Sequence, residues 1–340
     1  MGVKLSSIAQ TRTIALSDLS GKIIAIDAFN MLYQFLATIR GPDGGSLSTS
    51  TGRISSHLVG LFARTTSMLE KGIKPVFVFD GKAPELKREE RERRKKLKLD
   101  AQDAYETAKQ ERDVEGMKKY ASRLSRLTPE MVAESKQLLD GLGVPWIDAL
   151  SEGEAQAAAL VREGRAWASA SEDYDSLLFA SPRHIRQLTI SGKRRKSGKI
   201  GTYTVEPELI ELPALLESLN LTQRQLIILG ILVGADFNPG GVRGIGPKKA
   251  LKLIAEHEDP EQLFAHTTYA EQFSTPWQEI LDFFENPPLI DTSFSFSEPR
   301  DEELKTLLVT QFEFSEQRVS DGIEKSRMRP KNQTGLGSYL

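Results

Sequence analysis

Two short apolar runs that each end in an aspartate constrain the fold of this 340-residue chain more than any other feature. Residues 22–27 read KIIAID and residues 75–80 read PVFVFD, with a helix-patterned segment at 54–69 between them. Continuous apolar runs of this length, joined through a helix, are typical of buried strands in a parallel sheet. The pattern predicts an α/β fold, with further strands at 144–147 and 166–170 and a joined pair at 185–190 and 202–205.

Acidic side chains follow these predicted strands. The candidate acids are Asp27, Asp80, Glu152, Glu154, Asp173, Asp175 and Asp236. Because sheets of this class bind ligands at the carboxyl ends of their parallel strands, we expect these acids to converge there. Each acid also has an ordinary interpretation: an aspartate at a strand end commonly begins a turn, Ser151 with Glu154 fits a capping box, and Asp175 can cap the segment after it.

A converging acidic cluster requires cations. Two carboxylates about 4 Å apart repel by roughly 4 kcal/mol at an effective dielectric near 20. The chain has no cysteine and only four histidines, so a cysteine-ligated zinc site is excluded, and oxygen ligands favour Mg²⁺ or Mn²⁺. Two such ions roughly 4 Å apart would orient a water and stabilise the leaving oxygen in phosphodiester hydrolysis.

The segment after the second strand is strongly basic. Residues 82–98 contain nine basic and four acidic residues, and helix-forming residues continue to about residue 126, which predicts a helical insertion that projects from the sheet. On a helix, Lys87, Arg91, Arg94 and Lys98 share one face. The stripe fits either a solvated helix paired with its own glutamates or, since it lies beside Asp80, a phosphate-binding surface.

A glycine-rich turn, GVRGIGPKKA, joins an apolar helix after Thr222 to a helix from Lys248. The turn has the glycine spacing of a phosphate-binding loop, but Pro247 stands where the lysine belongs. The turn instead predicts a helix-hairpin-helix in which Gly244 and Gly246 are free to adopt positive φ, and Lys248 and Lys249 add charge. Its backbone N–H groups would bind a phosphate directly or through a monovalent cation, although an ordinary turn between helices has the same composition.

The whole-chain averages exclude little about partners. A formal charge of −2 says nothing about nucleic acid, so the distribution of charge must decide. The N-terminus lacks the apolar run of a secretory signal and no stretch reaches the roughly 18 apolar residues of a membrane span, so we expect a soluble intracellular protein with no membrane partner.

Seven motifs in order resemble the flap endonucleases, which are 5′ nucleases related to the XPG repair proteins, and most closely the archaeal members. They are MGV, AIDAFNMLYQFL, GIKPVFVFDGKAPELK, SEGEA, ASEDYDSLLF, GILVGADF and GVRGIGPKKA. The resemblance implies a mixed, mostly parallel central sheet flanked by helices, an arch over the active site, and two Mg²⁺ ions per subunit that Mn²⁺ can replace. It further implies a monomer in the archaeal cytoplasm that cuts branched DNA as a 5′ flap endonuclease and 5′ to 3′ exonuclease in replication and repair.

The resemblance also assigns roles to residues. Asp27, Asp80, Glu152 and Glu154 match the ligands of the first metal region, and Asp173, Asp175 and Asp236 match those of the second. Lys87 and Arg94 match arch residues that contact the scissile phosphate, Tyr33 matches an aromatic that stacks on the terminal nucleotide, and Gly2 would lie near the site after removal of Met1. Gly153 replaces the family's usual alanine, which should loosen that helix start by under about 1 kcal/mol, and Ala235 replaces a common serine.

The expected organisation is a nuclease domain over residues 1–325, which includes the arch at 82–128 and the helix-hairpin-helix at 222–256. A flexible tail follows at 326–340. In it, Gln333, Leu336, Tyr339 and Leu340 resemble the family's peptide for the sliding clamp (PCNA), whose apolar residues would share one face of a one-turn helix. Two rival functions remain open: a DNA-binding scaffold without catalysis that recruits the clamp, and a small-molecule phosphohydrolase.

Overall fold

The computed structural model describes residues 2–3, 5–41, 45–111, 113, 115–116, 120, 124, 126–188, 192–195 and 202–327, and only the backbone at 192–195 and 202–204. A seven-stranded sheet in the order β1-β9-β6-β5-β2-β3-β4 forms its centre, and β7 and β8 form a separate two-stranded sheet. The strands are β1 (Arg12–Thr13), β2 (Ile23–Asp27), β3 (Lys74–Phe79), β4 (Trp146–Asp148), β5 (Ala168–Ala170), β6 (Arg183–Arg186), β7 (Gly192–Arg195), β8 (Thr202–Val205) and β9 (Glu208–Glu211).

The sheet is mixed and mostly parallel, which confirms the predicted fold class. Strands β2 to β6 pair in parallel, whereas β9 runs antiparallel to both β6 and β1. In the parallel register Asp27 lies opposite Val78, two residues before Asp80. The register therefore brings the ends of β2 and β3, with their aspartates, to the same edge of the sheet.

Helices cover both faces of the sheet and extend beyond it. They are α1 (Ala28–Thr38), α2 (Ser56–Glu70), α3 (Arg88–Gln110), α4 (Pro129–Gly141), α5 (Gly153–Arg162), α6 (Asp175–Leu178), α7 (Leu212–Leu219), α8 (Gln223–Val233), α9 (Pro247–Glu256), α10 (Pro260–Ala265), α11 (Tyr269–Gln272), α12 (Trp277–Glu285), α13 (Asp301–Lys305) and α14 (Glu316–Arg327). A π-helix spans Thr306–Gln311, and short 3-10 helices span Leu16–Leu19 and Glu85–Lys87. Along the described segments, no helix is both long enough and apolar enough to cross a bilayer.

Alternate residues of β2 contribute to the two faces. Ile24 and Ile26 pack with α1, α2, α4 and the C-terminal helices, whereas Ala25 packs with α5 on the opposite side. A segment without helix or strand, residues 286–299, packs Ile290 and Phe294 on the second face, and Ile290 and the side chain of Gln156 exchange hydrogen bonds of 2.9 and 3.0 Å. A third cluster gathers α6 to α12 around the apolar helix α8.

The predicted strand pair at 185–190 and 202–205 is wrong. Strand β6 ends at Arg186 because Gln187 adopts a left-handed conformation, φ +59°, which an extended strand does not accommodate. Strand β8 pairs instead with β7, which contains Lys193, Arg194 and Arg195 of the basic loop that was expected to join the pair, a loop whose other basic residues are Lys196 and Lys199. The predicted helical insertion begins with the 3-10 turn at Glu85–Lys87 and continues as the 23-residue helix α3.

Candidate active site

Seven acids from five chain segments meet at the carboxyl edge of the parallel strands. Asp27 ends β2, and Asp80 directly follows β3. Glu152 caps the N-terminus of α5 and Glu154 lies in its first turn; Asp173 and Asp175 follow β5, and Asp236 follows α8. The charges of other members of the set help to raise the pKa of five of these acids: Asp27, Asp80, Glu152, Glu154 and Asp175.

The electrostatics of these acids show strong crowding. Burial, reinforced by the charge of Asp80, raises the pKa of Asp27 to about 8, and burial with the charge of Asp236 raises the pKa of Asp175 to about 7. Burial and the charge of Asp175 raise the pKa of Glu154 well above its ordinary value. The protein alone therefore does not supply enough positive charge to keep all seven carboxylates ionised at neutral pH.

Two cations of the basic insertion partly neutralise the cluster. Lys87 Nζ lies 2.5 Å from Glu152 Oε2 and 3.2 Å from Asp236 Oδ2, and Arg94 Nη2 donates to Asp236 Oδ2 at 2.9 Å. Burial opposes ionisation of Asp236, but Lys87 and Arg94 outweigh it, and its pKa lies below the ordinary value. Burial likewise opposes the charge of Lys87, yet Glu152 and Asp236 raise its pKa above the ordinary value.

The four predicted residues of the basic stripe do not all face the acids. Arg91 is half exposed and lies 3.7 Å from Glu85, away from the cluster. Lys98 Nζ lies 6.0 Å from the centre of the Tyr33 ring, and Tyr33, on α1, is 40% exposed. The stripe thus divides into Lys87 and Arg94 at the acids, Lys98 over the aromatic ring, and Arg91 at the surface.

The segment with Asp173 and Asp175 is held by contacts from distant parts of the chain. Asn30 Nδ2 donates to Asp173 Oδ2 at 3.2 Å, and the backbone N–H of Val3 donates to Asp175 Oδ1 at 2.7 Å. Gly2 lies against the same carboxylate, since a Cβ on Gly2 would be 2.5 Å from Asp175 Oδ1. The structure therefore places Gly2 at the edge of the acidic cluster.

Gly153 allows a close approach that the sequence did not reveal. Its backbone N–H donates to Asp80 Oδ1 at 2.7 Å, and a Cβ at this position would lie 2.8 Å from the same oxygen and 3.3 Å from the carbonyl of Val78. A methyl group there would force the Asp80 carboxylate to shift. Residue 153 thus affects the placement of Asp80 as well as the start of α5.

The ordinary interpretations of the acids can be compared with the structure, and Asp175 is not a cap, because Tyr174 is the N-cap of α6 and Asp175 is its first residue. Ser151 does not form the capping box, because Glu152 is the capping residue of α5 and the Ser151 hydroxyl is buried without a hydrogen-bond partner. Asp27 does cap a helix, since its Oδ1 accepts from the backbone N–H of Asn30 at 3.0 Å. Its second oxygen, Oδ2, accepts a long hydrogen bond of 3.4 Å from Ser171, so capping leaves Asp27 in the acidic cluster.

The hairpin between α8 and α9 presents an exposed loop and two lysines. Gly244 has φ +76°, as expected, whereas Gly246 has φ −96° and caps α9, so the expectation of positive φ is wrong for Gly246. Lys248 and Lys249 lie exposed in the first turn of α9. The buried Asn238 fixes the other end of the loop by donating to Ile231 O at 2.6 Å and accepting from Ala235 N at 3.1 Å.

The predicted clamp-binding residues cannot be placed, because Gln333, Leu336, Tyr339 and Leu340 lie outside the described residues. The same is true of Lys196 and Lys199 in the basic loop.

The donor set fits a hard divalent cation in its chemistry. All candidate ligands are carboxylate oxygens, and Glu154 Oε1 is buried without a hydrogen-bond partner. Within the described ranges, no three acidic or histidine side chains are already arranged as a coordination sphere. Two of these acids have protein counterions instead, since the nitrogens of Lys87 and Arg94 lie against Glu152 and Asp236.

Sequence reasoning assigned no role to three residues that contact the site. Asn30 donates to Asp173, Glu90 accepts from Arg94 Nε at 2.5 Å, and Arg186 donates to the carbonyl of Glu172, next to Asp173. Asn30 and Arg186 act on partners far along the chain. Only Glu90 gave a local signal, as a glutamate four residues before an arginine on a helix.

Comparison with known proteins gives a consistent result. The XPG N-terminal domain matches residues 1–101, and the XPG I-region matches residues 143–236. The chain is 48% identical to the flap endonuclease 1 of Staphylothermus marinus over 330 residues, which cover 96% of this chain and 94% of that protein. It is 46% identical to the flap endonuclease 1 of Hyperthermus butylicus over 349 residues, covering 100% of this chain and 99% of that protein.

A solved structure shares the fold over nearly the whole chain. The flap endonuclease-1 from Methanococcus jannaschii superposes with a TM-score of 0.75 at 37% identity, covering 96% of this chain and 98% of that one.

Proposed function

Because this chain belongs to the flap endonuclease family, with high identity along almost all of its length, we propose that it is a metal-dependent nuclease that hydrolyses branched DNA at 5′ flaps and also removes nucleotides from 5′ ends. The observation that carries the proposal is the meeting of seven acids from distant segments beside Lys87 and Arg94. A DNA-binding scaffold has no need of so many desolvated carboxylates, and a small-molecule phosphohydrolase has no need of a basic arch. The expected setting is DNA replication and repair inside the cell.

We assign the acids to two Mg²⁺ ions, which Mn²⁺ would replace. Asp27, Asp80, Glu152 and Glu154 would hold the first ion, and Asp173, Asp175 and Asp236 the second, some of them through water. Bound there, the ions supply an attacking water of lowered pKa and stabilise the leaving oxygen. The raised pKa values of Asp27 and Asp175 support the assignment, because crowded and desolvated carboxylates gain most from added positive charge.

Lys87 and Arg94 would act on the scissile phosphate. In the structure their nitrogens are paired with Glu152 and Asp236, at 2.5 and 2.9 Å. Once the carboxylates have other counterions, both side chains can donate to a phosphate oxygen and stabilise the charge that develops there. Tyr33 would stack on the terminal base, and Arg91 and Lys98 would contact the backbone of the flap.

Two further contacts complete the proposal. The hairpin loop of Gly244 and Gly246, with Lys248 and Lys249, would bind the phosphates of the duplex, directly or through a monovalent cation. The C-terminal tail, with Gln333, Leu336, Tyr339 and Leu340, would bind the sliding clamp of a monomeric enzyme at DNA.

Cleavage of a labelled double-flap DNA, compared with single-stranded DNA, tests the function directly. We expect cleavage near the junction of the double flap only when Mg²⁺ is present, and loss of cleavage in Asp173→Asn. Cleavage that survives complete metal removal, or an Asp173→Asn protein with near-normal activity, would contradict the proposal.

The role of Lys87 has its own test. Lys87→Ala should lower the single-turnover cleavage rate by at least about 100-fold while the Kd for flap DNA changes less than fivefold, because the lost contact acts mainly in the transition state. Lys96→Ala is a matched control, since Lys96 is an exposed lysine of the same basic segment. Equal losses in rate and affinity for Lys87→Ala would indicate a binding role alone.

A further inference from the structure

The loop that carries Asp173 and leads into Asp175, the first residue of α6, has little regular structure of its own. It lies between β5, which ends at Ala170, and the single-turn helix α6, which begins at Asp175. Asp173 N donates a long hydrogen bond of 3.3 Å to Ser171 Oγ, whereas Asn30 and Val3, from the N-terminal part of the chain, donate to the carboxylates of Asp173 and Asp175. The position of these two carboxylates therefore depends on what packs against the loop from outside.

Arg186 supplies contacts on both sides of Asp173. This residue ends β6, the neighbour of β5, and its Nε donates to the backbone carbonyl of Glu172 at 3.0 Å. Its Nη1 donates to the Tyr174 hydroxyl at 2.6 Å, and the guanidinium lies 4.3 Å from the centre of the Tyr174 ring. One side chain thus holds both the residue before Asp173 and the residue after it.

The sheet register orients this arginine. Arg186 is paired with Glu208 across the antiparallel β6–β9 ladder, and Glu208 Oε2 lies 3.4 Å from Nη1. The side chain of Arg186 is only 20% exposed, so few other positions are open to its guanidinium. A planar fork that makes several fixed hydrogen bonds is the geometry in which arginine and lysine are least interchangeable.

We propose that Arg186 is a positioning residue for the metal site: by binding Glu172 and Tyr174 it fixes the loop that presents Asp173 and Asp175 to the cations. The inference rests on the proposed metal-dependent function. Arg186 itself makes no contact with either carboxylate among those the structure gives, so it acts through the loop. Groups that orient metal ligands in this way commonly change metal affinity by about 10 to 100-fold.

Arg183 offers a matched control on the same strand. Its Nε donates to a backbone carbonyl, that of Trp167, at 2.7 Å, and its guanidinium lies 5.0 Å from the Trp167 ring centre. The two arginines thus make the same kind of contact. Arg183, however, binds the residue before β5 begins, whereas Arg186 binds the loop after β5 ends.

The experiment measures Mn²⁺ binding to the full chain without DNA, by electron paramagnetic resonance, together with the Mn²⁺ dependence of flap cleavage. Arg186→Ala should weaken Mn²⁺ binding about tenfold and raise the half-saturating Mn²⁺ concentration equally, with the rate at saturating metal within about threefold of the parent. Arg186→Lys should recover only part of the affinity. Arg183→Ala should leave Mn²⁺ binding unchanged even if it lowers the melting temperature.

The outcomes separate the inference from the proposed function. Unchanged Mn²⁺ binding in Arg186→Ala, or an equal loss in Arg183→Ala, overturns the role of Arg186 while leaving the nuclease intact. A parent protein that cleaves flaps without any divalent ion overturns the metal-dependent function and the inference with it. Should Arg186→Ala fail to fold, Tyr174→Phe removes only the hydroxyl that Nη1 contacts, and it should weaken Mn²⁺ binding about threefold; no change would again overturn the inference.

Discussion

At the scale of single residues, we expect Glu154 to lower the stability of the metal-free protein although cleavage requires it. Its Oε1 is buried without a hydrogen-bond partner, and burial with the charge of Asp175 raises its pKa well above the ordinary value. Glu154→Gln should therefore raise the free energy of unfolding of the metal-free protein by on the order of 1 kcal/mol. Flap cleavage should fall at least about 100-fold, because a proposed metal ligand is lost. Thermal denaturation in EDTA and a cleavage assay measure the two effects.

Glu163→Gln is the control for this substitution. Glu163 lies at the other end of the same helix, α5, and is half exposed, so the same change of charge should alter neither the melting temperature nor the cleavage rate appreciably. A Glu154→Gln protein that is less stable than the parent without metal would contradict the crowding of the acids.

The sequence predicts acids at this site better than it predicts their partners. Asp27 and Asp80 follow short apolar runs, and a parallel sheet brings such ends together by its own register. The contacts of Asn30 with Asp173 and of Gly153 with Asp80 join residues 143 and 73 positions apart. Nothing in the local pattern around either residue identifies such a distant partner, so these contacts required the structure.

At the scale of elements, helix α3 contains one buried glutamate that orients two of its arginines. Glu90 is 2% exposed on a largely exposed helix, and it accepts from Arg93 Nε and Nη2, at 2.6 and 2.8 Å, and from Arg94 Nε at 2.5 Å. Burial opposes its ionisation, but Arg93 and Arg94 outweigh burial and lower its pKa. Glu90 thus holds Arg94 in the position from which its Nη2 donates to Asp236.

Glu90→Gln should lower the single-turnover cleavage rate about tenfold, since Arg94 loses its orienting carboxylate, while DNA affinity stays within about threefold. Glu92→Gln makes the same change of charge at an exposed position of α3 and should leave the rate unaltered. Equal effects of the two substitutions would mean that net charge, rather than the orientation of Arg94, explains the result.

Gly244 and Gly246, two exposed glycines of the hairpin between α8 and α9, have different backbone requirements. Gly244 has φ +76° and Gly246 has φ −96°, and a Cβ on either would meet no atom within 4 Å. Gly244→Ala should lower the free energy of unfolding by about 1 kcal/mol, because an L-residue is strained at positive φ. Gly246→Ala should change it by less than about 0.5 kcal/mol, since the lost capping preference and the reduced unfolded-state entropy oppose each other. Urea denaturation measures both, and equal destabilisation would contradict the backbone argument.

Element pairing is less predictable than element position. Apolar runs located β2 and β3 to within one residue, because those strands are buried on both faces. The partner of β8 was predicted wrongly, because a strand's partner depends on where the preceding strand ends, and only the left-handed φ of Gln187 shows that β6 stops at Arg186. The segment at 286–299, which forms neither helix nor strand, packs Ile290 and Phe294 on one face of the sheet, and no periodicity indicates this.

At the scale of the whole molecule, a net charge of −2 conceals an uneven distribution. Seven acids gather at one edge of the sheet, and the adjoining insertion is basic. The resemblance of the motifs, taken in order, was sufficient to predict the fold class and the family, and five of the seven motifs carry the acids that meet at this edge. The compensation of the acids by Lys87 and Arg94 was not predictable, since it depends on how the insertion folds back over the sheet.

This distribution makes the stability of the metal-free protein depend on pH. The folded-state pKa values of Asp27 and Asp175, about 8 and about 7, lie above the unfolded value of 3.8. At pH values between the unfolded and folded pKa, the folded protein therefore binds more protons than the unfolded chain. Stability from these groups is fully present below pH 3.8 and is lost as the pH rises through 7 to 8. His184 has a folded pKa of about 4, below its unfolded 6.5, and so contributes a constant amount well above pH 6.5.

Between pH 7 and pH 9, the free energy of unfolding in EDTA should therefore fall by about 1 to 2 kcal/mol, which corresponds to a few degrees in melting temperature. Mg²⁺ at millimolar concentration should remove most of this fall, because cations that bind only the folded state stabilise the ionised carboxylates most at high pH. Asp27→Asn should flatten the metal-free profile, since the residue with the larger shift is gone. Two results would contradict this: a melting temperature in EDTA that is level or rises from pH 7 to pH 9, or a Mg²⁺ effect that is no greater at pH 9 than at pH 7. Either would mean that the positive charges of the protein itself are sufficient to keep the seven acids ionised.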